Sequence, residues 1–376
     1  DPRLGEAYAS LGSLQNNKGD VAAAEQSFRQ AIRLSPNYAT SYHWLSNMLR
    51  TDLYRLEEAL VFGQRAAELD PNSAVILSNL AGIYSLIGDD ESFARLTEQV
   101  LEIDPDFSQA LGAEAELLFL QGNFAGAIEA DRKVVEVDAG SAYSLFSHAE
   151  LHASIGAFDE AREIAQTLGE RFPDHPVADL ANIRNAIAEG RSPDARPVIT
   201  AILDEDPAYL VAYSAGDAAL GTSQLDLALQ AFNYVVGDDL TTMDYSPEFM
   251  GTWSGLLCTF SWLLQKTPGA EDRGRELLSR TIAFFEKELP DSIRNRERFG
   301  IDACYVLAGE PQKALDILER QFDNHFIFQW RWSLQLSLYD PLRDDPRFIA
   351  LQRRYDDLMA EQVAELRREK RPAFEF

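Results

Sequence analysis

The stretch GEAYASLGSLQNNKGDVAAAEQSFRQAIRLSPNY, residues 5–38, contains two apolar-periodic runs with a glycine between them and a proline near its end. The second run, QSFRQAIRLSP, has the 3.6-residue period of an amphipathic helix. Gly19 permits a tight turn between two helices, and Pro36 ends the second one. This stretch therefore predicts two helices joined by a short turn.

The same markers return along the chain at intervals of 34 or 35 residues, with one double interval. The recurring prolines are Pro2, Pro36, Pro71, Pro105, Pro173 and Pro207. Turn glycines recur with the same period at Gly19, Gly88, Gly122, Gly156 and Gly190. Self-similarity of this length indicates a repeat protein in which each helical hairpin stacks on its neighbours.

Residues 5–38 resemble a tetratricopeptide repeat, a likeness carried by Tyr8, the Leu11–Gly12 pair, Ala24, Phe28, Ala31 and Pro36. Six such units cover 5–207, and a seventh loses the repeat pattern after LDLALQAFNYVV. The resemblance implies an all-α, right-handed superhelical solenoid of helix-turn-helix hairpins. We predict a repeat array over 1–237 and atypical hairpins with a capping helix over 238–376. Because Pro2 occupies the proline position of an earlier unit, we also expect at least one more repeat upstream.

The end of the chain predicts a capping helix. Asp345 is a suitable N-cap before Pro346, and one apolar stripe follows. Its members are Phe348, Leu351, Tyr355, Leu358, Met359, Val363 and Leu366. The segment PLRDDPRFIALQRR, residues 341–354, is similar to the end of tetratricopeptide sensor regions in bacterial signalling proteins. In those proteins the region follows a winged-helix DNA-binding domain or a nucleotide cyclase.

Composition excludes several function classes. With 61 acidic and 34 basic residues the net charge is −27, and such a surface repels phosphate backbones, so we predict no nucleic-acid binding. No run approaches the roughly 20 apolar residues that span a bilayer. Phosphate-binding glycine loops, G-x-S-x-G and H-E-x-x-H are absent, so we predict no enzyme, no catalytic residue, no cofactor and no metal. Oligomeric state and compartment stay open, with the bacterial periplasm slightly favoured over the cytoplasm.

The resemblance implies a concave groove lined by the first helix of each hairpin, where the family holds peptides or partner helices. The corresponding positions here are His43, Asn47, Arg50, Ser78, Glu116, Phe119, Tyr143, Phe146, Glu150 and Arg184. The family's repeated Lys and Asn carboxylate clamp is missing here. Phe119, Tyr143 and Phe146 form an aromatic cluster that either anchors a partner or packs between repeats. The predicted function is a protein-binding scaffold or sensory module of a bacterial signalling protein. A repeat-only assembly or secretion adaptor and a small-ligand or metal-responsive sensor are the alternatives.

Two further features leave alternatives open. Glu114, His148 and Asn182 occupy equivalent, normally apolar positions of consecutive units, and His152 follows one turn after His148. They form a structural polar ladder, a pH- or ligand-responsive switch, or a metal site built from Glu114, His148 and His152. Cys258 and Cys304 fall on adjacent first helices, and two free buried thiols are favoured over a disulfide.

Overall fold

A computed structural model describes residues 3–51, 55–138, 140–204, 209–236, 247–287, 300–328 and 330–368. These residues form helices and no strands, which confirms the all-α prediction. The repeat region contains α1 (Arg3–Asn17), α2 (Val21–Leu34), α3 (Ala39–Thr51), α4 (Leu56–Leu69), α5 (Ala74–Ile87), α6 (Asp90–Ile103), α7 (Ser108–Leu120), α8 (Phe124–Val137), α9 (Ala142–Ile155), α10 (Phe158–Arg171), α11 (Pro176–Ala188), α12 (Arg196–Asp204), α13 (Tyr209–Gly221) and α14 (Leu225–Val236).

The C-terminal part of the chain is helical as well. It contains α15 (Pro247–Lys266), α16 (Glu271–Lys287), α17 (Ile301–Leu307), α18 (Pro311–Asp323), α19 (Trp330–Ser333), a 3-10 helix (Ser337–Leu342) and α20 (Pro346–Leu366). The predicted boundary between residues 237 and 238 lies outside the described residues, as does Pro2, on which the expected upstream repeat depends.

Local sequence accounts for the hairpins. Gly88 ends α5 and Gly156 ends α9, with φ of 84° and 92°. A side chain is disfavoured in this left-handed conformation, so glycine is required. The Asp89 carboxylate then accepts a hydrogen bond from the Ser92 amide and caps α6. The predicted order of helix, glycine and helix is thereby confirmed at these turns.

Close helix approach explains the small residues of the pattern. A Cβ added to Gly12 on α1 would lie 2.7 Å from the Phe28 ring on α2, so only glycine fits beneath this ring. Ala24, Ala127 and Ala161 on the second helices are fully buried. The same contact recurs near the end of the array, because a Cβ on Gly216 would meet Phe232 at 2.2 Å.

The helices fall into two compact units. One contains α1–α6 and α7 as far as Leu117, and the other contains the end of α7, α8–α14, α15 from Trp253, and α16–α20. Within the first unit, consecutive helices pack in order, and Tyr42 on α3 packs against Ile32 of α2. Within the second unit, α20 packs on α18 and also on α8 and α9. The predicted capping helix therefore contacts earlier repeats as well as its neighbour.

The structure corrects the expectation for the cysteines. Cys258 on α15 and Cys304 on α17 form a disulfide, with 4.9 Å between their Cα atoms, and both are fully buried. The expectation of two free thiols was wrong. It rested on the general rarity of bridges between two isolated cysteines, whereas the packing of α15 beside α17 brings this pair within bonding distance.

Candidate functional site

The predicted groove residues of the first unit lie on three first helices. On α3, His43, Asn47 and Arg50 are each half-buried. The Arg50 guanidinium donates to Asn47 Oδ1 at 2.9 Å. Burial, together with the positive charge of Arg50, lowers the pKa of His43 below its ordinary value. These three residues therefore form a polar cluster whose only permanent charge is the guanidinium.

Beside this cluster the surface has open space. A Cβ added to Gly112 on α7 would meet no atom within 4 Å, and one added to Gly82 on α5 would meet only Arg50, at 3.8 Å. Ser78 lies half-buried one turn before Gly82. The Ser85 hydroxyl donates to Glu116 Oε1 at 2.7 Å and links α5 to α7. We call His43, Asn47, Arg50, Ser78 and Glu116 the first-unit surface.

In the second unit, the aromatic positions have separate surroundings. Phe119 packs edge-on against Phe124, with ring centroids 4.5 Å apart, and against Phe328 at 5.8 Å. Tyr143 is 42% exposed and packs edge-on against His175 at 5.1 Å. Phe146 is buried. Of these three rings, Tyr143 is the most exposed.

Arg184 on α11 is buried at the centre of an ionic cluster. Its guanidinium is paired with Glu150 on α9 and lies 3.4 Å from Asp217 Oδ2 on α13. Burial alone would lower the pKa of Arg184, but the Glu150 and Asp217 carboxylates outweigh it and raise that pKa. Desolvation raises the pKa of Asp217. The Trp332 ring covers the guanidinium, 4.9 Å from its carbon. The sequence analysis identified Glu150 and Arg184 and missed Asp217 and Trp332.

His148 and Asn182 of the predicted polar ladder have partners outside the ladder. His148 Nδ1 lies 2.7 Å from Asp131 Oδ2 on α8, and its ring meets His152 edge-on at 4.8 Å. The Asn182 amide donates to the carbonyl of Ala178 in its own helix at 3.2 Å. Glu114 is half-buried on α7. Within the described ranges, no three His, Cys, Asp or Glu side chains are grouped as ligands for a metal ion.

A contact that sequence reasoning missed joins the C-terminal helices to the ends of the first helices. His325 Nδ1 lies 2.9 Å from the Leu120 carbonyl at the end of α7. Arg331 donates to the Ser154 and Ile155 carbonyls at the end of α9, at 2.9 and 3.3 Å. These carbonyls have no partner within their own helix, and a positive charge is favourable at that end. The signal available in the sequence for this contact was Trp330-Arg331-Trp332, an arginine between two tryptophans outside the repeat period.

Among the helices in the described residues, none combines the length and apolar character needed to cross a bilayer. Tetratricopeptide repeat models match residues 5–38 and 180–239. No curated protein matches the chain.

Solved structures of repeat proteins are similar to the chain. A tetratricopeptide repeat protein from Parabacteroides merdae is 21% identical with a TM-score of 0.50, over 74% of this chain and 99% of that one. Pilf of Pseudomonas aeruginosa is 17% identical with a TM-score of 0.44, over 60% of this chain and 98% of that one. YrrB, described as a tetratricopeptide repeat protein with an unusual peptide-binding site, is 18% identical with a TM-score of 0.36, over 46% and 90%.

The repeat period, the glycine-ended hairpins and the two matching repeat models agree with one another. The class is that of all-α helical repeat solenoids, which act as scaffolds for protein–protein interaction. Within that class, the chain contains tetratricopeptide repeats, which the family models match at residues 5–38 and 180–239.

Proposed function

We propose that this chain binds an extended segment of a partner protein along the first-unit surface, in the concave groove expected of the repeat. The observation that carries the proposal is the open space at Gly82 and Gly112 beside polar side chains. An extended peptide needs both room for its backbone and groups that pair with its amides. Asn47, Ser78 and Glu116 offer such groups on three successive first helices.

The charges of this surface define the partner chemistry. Arg50 favours a carboxylate or backbone carbonyl at one end of the bound segment, and Glu116 favours an N–H donor or a basic side chain at the other. The chain's net charge of −27 favours a basic partner overall, because complementary charge speeds encounter.

Partner capture tests the proposal. Wild type, Asn47→Ala/Arg50→Ala and the control Arg65→Ala serve as baits in lysate of the source organism. Arg65 is a matched control because it lies on the second helix α4, is 44% exposed and pairs with Glu68 in its own turn. We expect a partner retained by wild type and control and reduced about tenfold or more by the double variant. Equal retention by all three baits would contradict the proposal.

We further propose that the partner acts within a bacterial signalling protein, for which this array is the sensory module. The likeness of residues 341–354 to sensor-region ends supports this role. The buried Cys258–Cys304 disulfide supports an oxidising compartment such as the periplasm. Sequencing the gene upstream tests the role: a winged-helix or cyclase domain supports it, whereas repeats alone favour the assembly or secretion adaptor.

A further inference from the structure

The described residues of the segment 325–332, which are 325–328 and 330–332, make contacts in two directions. Trp330 faces the rest of the C-terminal helices: its ring packs on Phe322 and Tyr355 at 6.0 and 5.8 Å, and its Nε1 donates to Gln321 at 3.3 Å. Phe328, Arg331 and Trp332 face the repeats instead. We call the described residues from 301 to 368 the C-terminal body; Leu342, Phe348 and Leu351 are among its buried residues.

The residues that face the repeats touch three successive first helices. Phe328 packs on Phe119 of α7, and Arg331 donates to the last carbonyls of α9. Trp332 covers Arg184 of α11. The distance from Phe328 to Trp332 is four residues along the chain, so a short segment spans three repeats. A partner segment bound across these repeats would need contacts with the same three helices.

Several further contacts of the C-terminal body with the repeats are hydrogen bonds or ion pairs. The Ala125 amide of α8 donates to Gln362 Oε1 at 3.0 Å. Arg367 forms a two-pronged ion pair with Glu160 of α10, at 2.6 and 2.8 Å. The Tyr355 hydroxyl donates to the Ser154 carbonyl at 2.9 Å. The Arg367–Glu160 ion pair is partly exposed, so salt weakens it.

We propose that the C-terminal body is a lid and that residues 325–332 are an internal ligand for a second polypeptide-binding surface on α7, α9 and α11. The disulfide to α15 keeps the lid attached when it lifts. A competing partner segment presents the same chemistry: an aromatic residue, an arginine three positions later and an aromatic residue directly after it. The proposal extends the proposed function to a different surface, so either one fails independently of the other.

The Ala125 amide gives a direct test of lid opening in the wild-type chain. Ala125 is in the first turn of α8, so its N–H has no acceptor within the helix, and Gln362 protects it from exchange only while the lid is closed. The Gly126 amide donates to Asn123 in the cap of α8 and serves as the internal control. By NMR, we expect Arg367→Ala or 0.5 M salt to speed exchange of Ala125 about threefold or more while Gly126 is unchanged. Equal exchange rates of the Ala125 amide under all conditions would overturn the proposed lid.

A peptide supplied in trans tests the internal ligand. The labelled peptide NHFIFQWRWSLQ, residues 324–335, is titrated into wild type and into Arg331→Ala/Trp332→Ala. Because the tethered copy competes in wild type, we expect the double variant to bind at least about tenfold more tightly. Adding Phe119→Ala to the double variant should remove that gain. Equal affinity of wild type and double variant, or binding that survives Phe119→Ala, would overturn the assignment. The amide test remains decisive if the variants do not fold.

Discussion

Removing the Cys258–Cys304 disulfide tests the most specific covalent feature of the structure. The perturbation is the double variant Cys258→Ala/Cys304→Ala, in which both bridge atoms are lost from fully buried positions. The cysteines are 46 residues apart. The chain-entropy relation for a closed loop of this length gives a loss of about 4 kcal/mol in the free energy of unfolding.

Urea denaturation followed by tryptophan fluorescence is the assay. Four of the five tryptophans lie at residue 253 or beyond, so fluorescence reports the part of the chain that carries the bridge. With a denaturant slope of about 2 kcal/mol/M, the loss corresponds to a midpoint lower by roughly 2 M urea. Thiol counting on unreduced, denatured wild type should find no free thiol. Coincident midpoints for wild type and double variant, or two free thiols in wild type, would refute the reasoning.

Two further predictions concern the contact between the C-terminal body and the repeats. The Arg367 guanidinium holds the pKa of Glu160 below its ordinary value of 4.5. The ion pair therefore stabilises the fold above pH 4.5, and this stabilisation is lost as the pH falls through the folded-state pKa of Glu160. The melting temperature of wild type should therefore fall more steeply between about pH 5 and pH 3 than that of Arg367→Ala. Parallel curves of melting temperature against pH would contradict the linkage. Gly122→Ala should destabilise more than Gly309→Ala in urea unfolding. Both glycines have φ of 75°, but a Cβ on Gly122 would lie 2.6 Å from the His325 ring, whereas one on Gly309 meets nothing within 4 Å. Equal losses would contradict the docking of His325.

The repeat region was predictable because its determinants are local. Gly156 in a left-handed conformation ends α9, and Ser141 caps its start through the Ser144 amide. Each of these features acts within a few residues of the chain, so the sequence specifies it directly. Gly12 beneath Phe28 is a contact inside one hairpin and follows from the repeat pattern in the same way.

Contacts between distant segments could not be predicted. The apolar stripe of α20 indicated that Tyr355 would be buried, but its hydroxyl pairs with Ser154, 201 residues earlier. No period connects these two positions. At shorter range, Asp131 is a partner of His148 on the intervening second helix, and the equivalence of first-helix positions gave no indication of it.

The predicted site residues divide between two surfaces for a similar reason. His43, Asn47 and Arg50 are half-buried on α3 and belong to the first-unit surface. Phe119 and Arg184 are contacted by Phe328 and Trp332, which lie outside the repeat period. Register fixes which face of a helix a residue occupies, but it does not indicate which later segment of the chain packs on that face.

Photo-crosslinking from the first-unit surface tests the central claim most directly. A photoreactive phenylalanine analogue replaces Ser78 on α5 in one sample and Val61 on α4, which is 61% exposed, in the other. Each chain is irradiated in lysate of the source organism, and adducts are identified by mass spectrometry. The account predicts a defined protein adduct at position 78 that is absent at position 61. An adduct at position 61 with none at position 78 would contradict it.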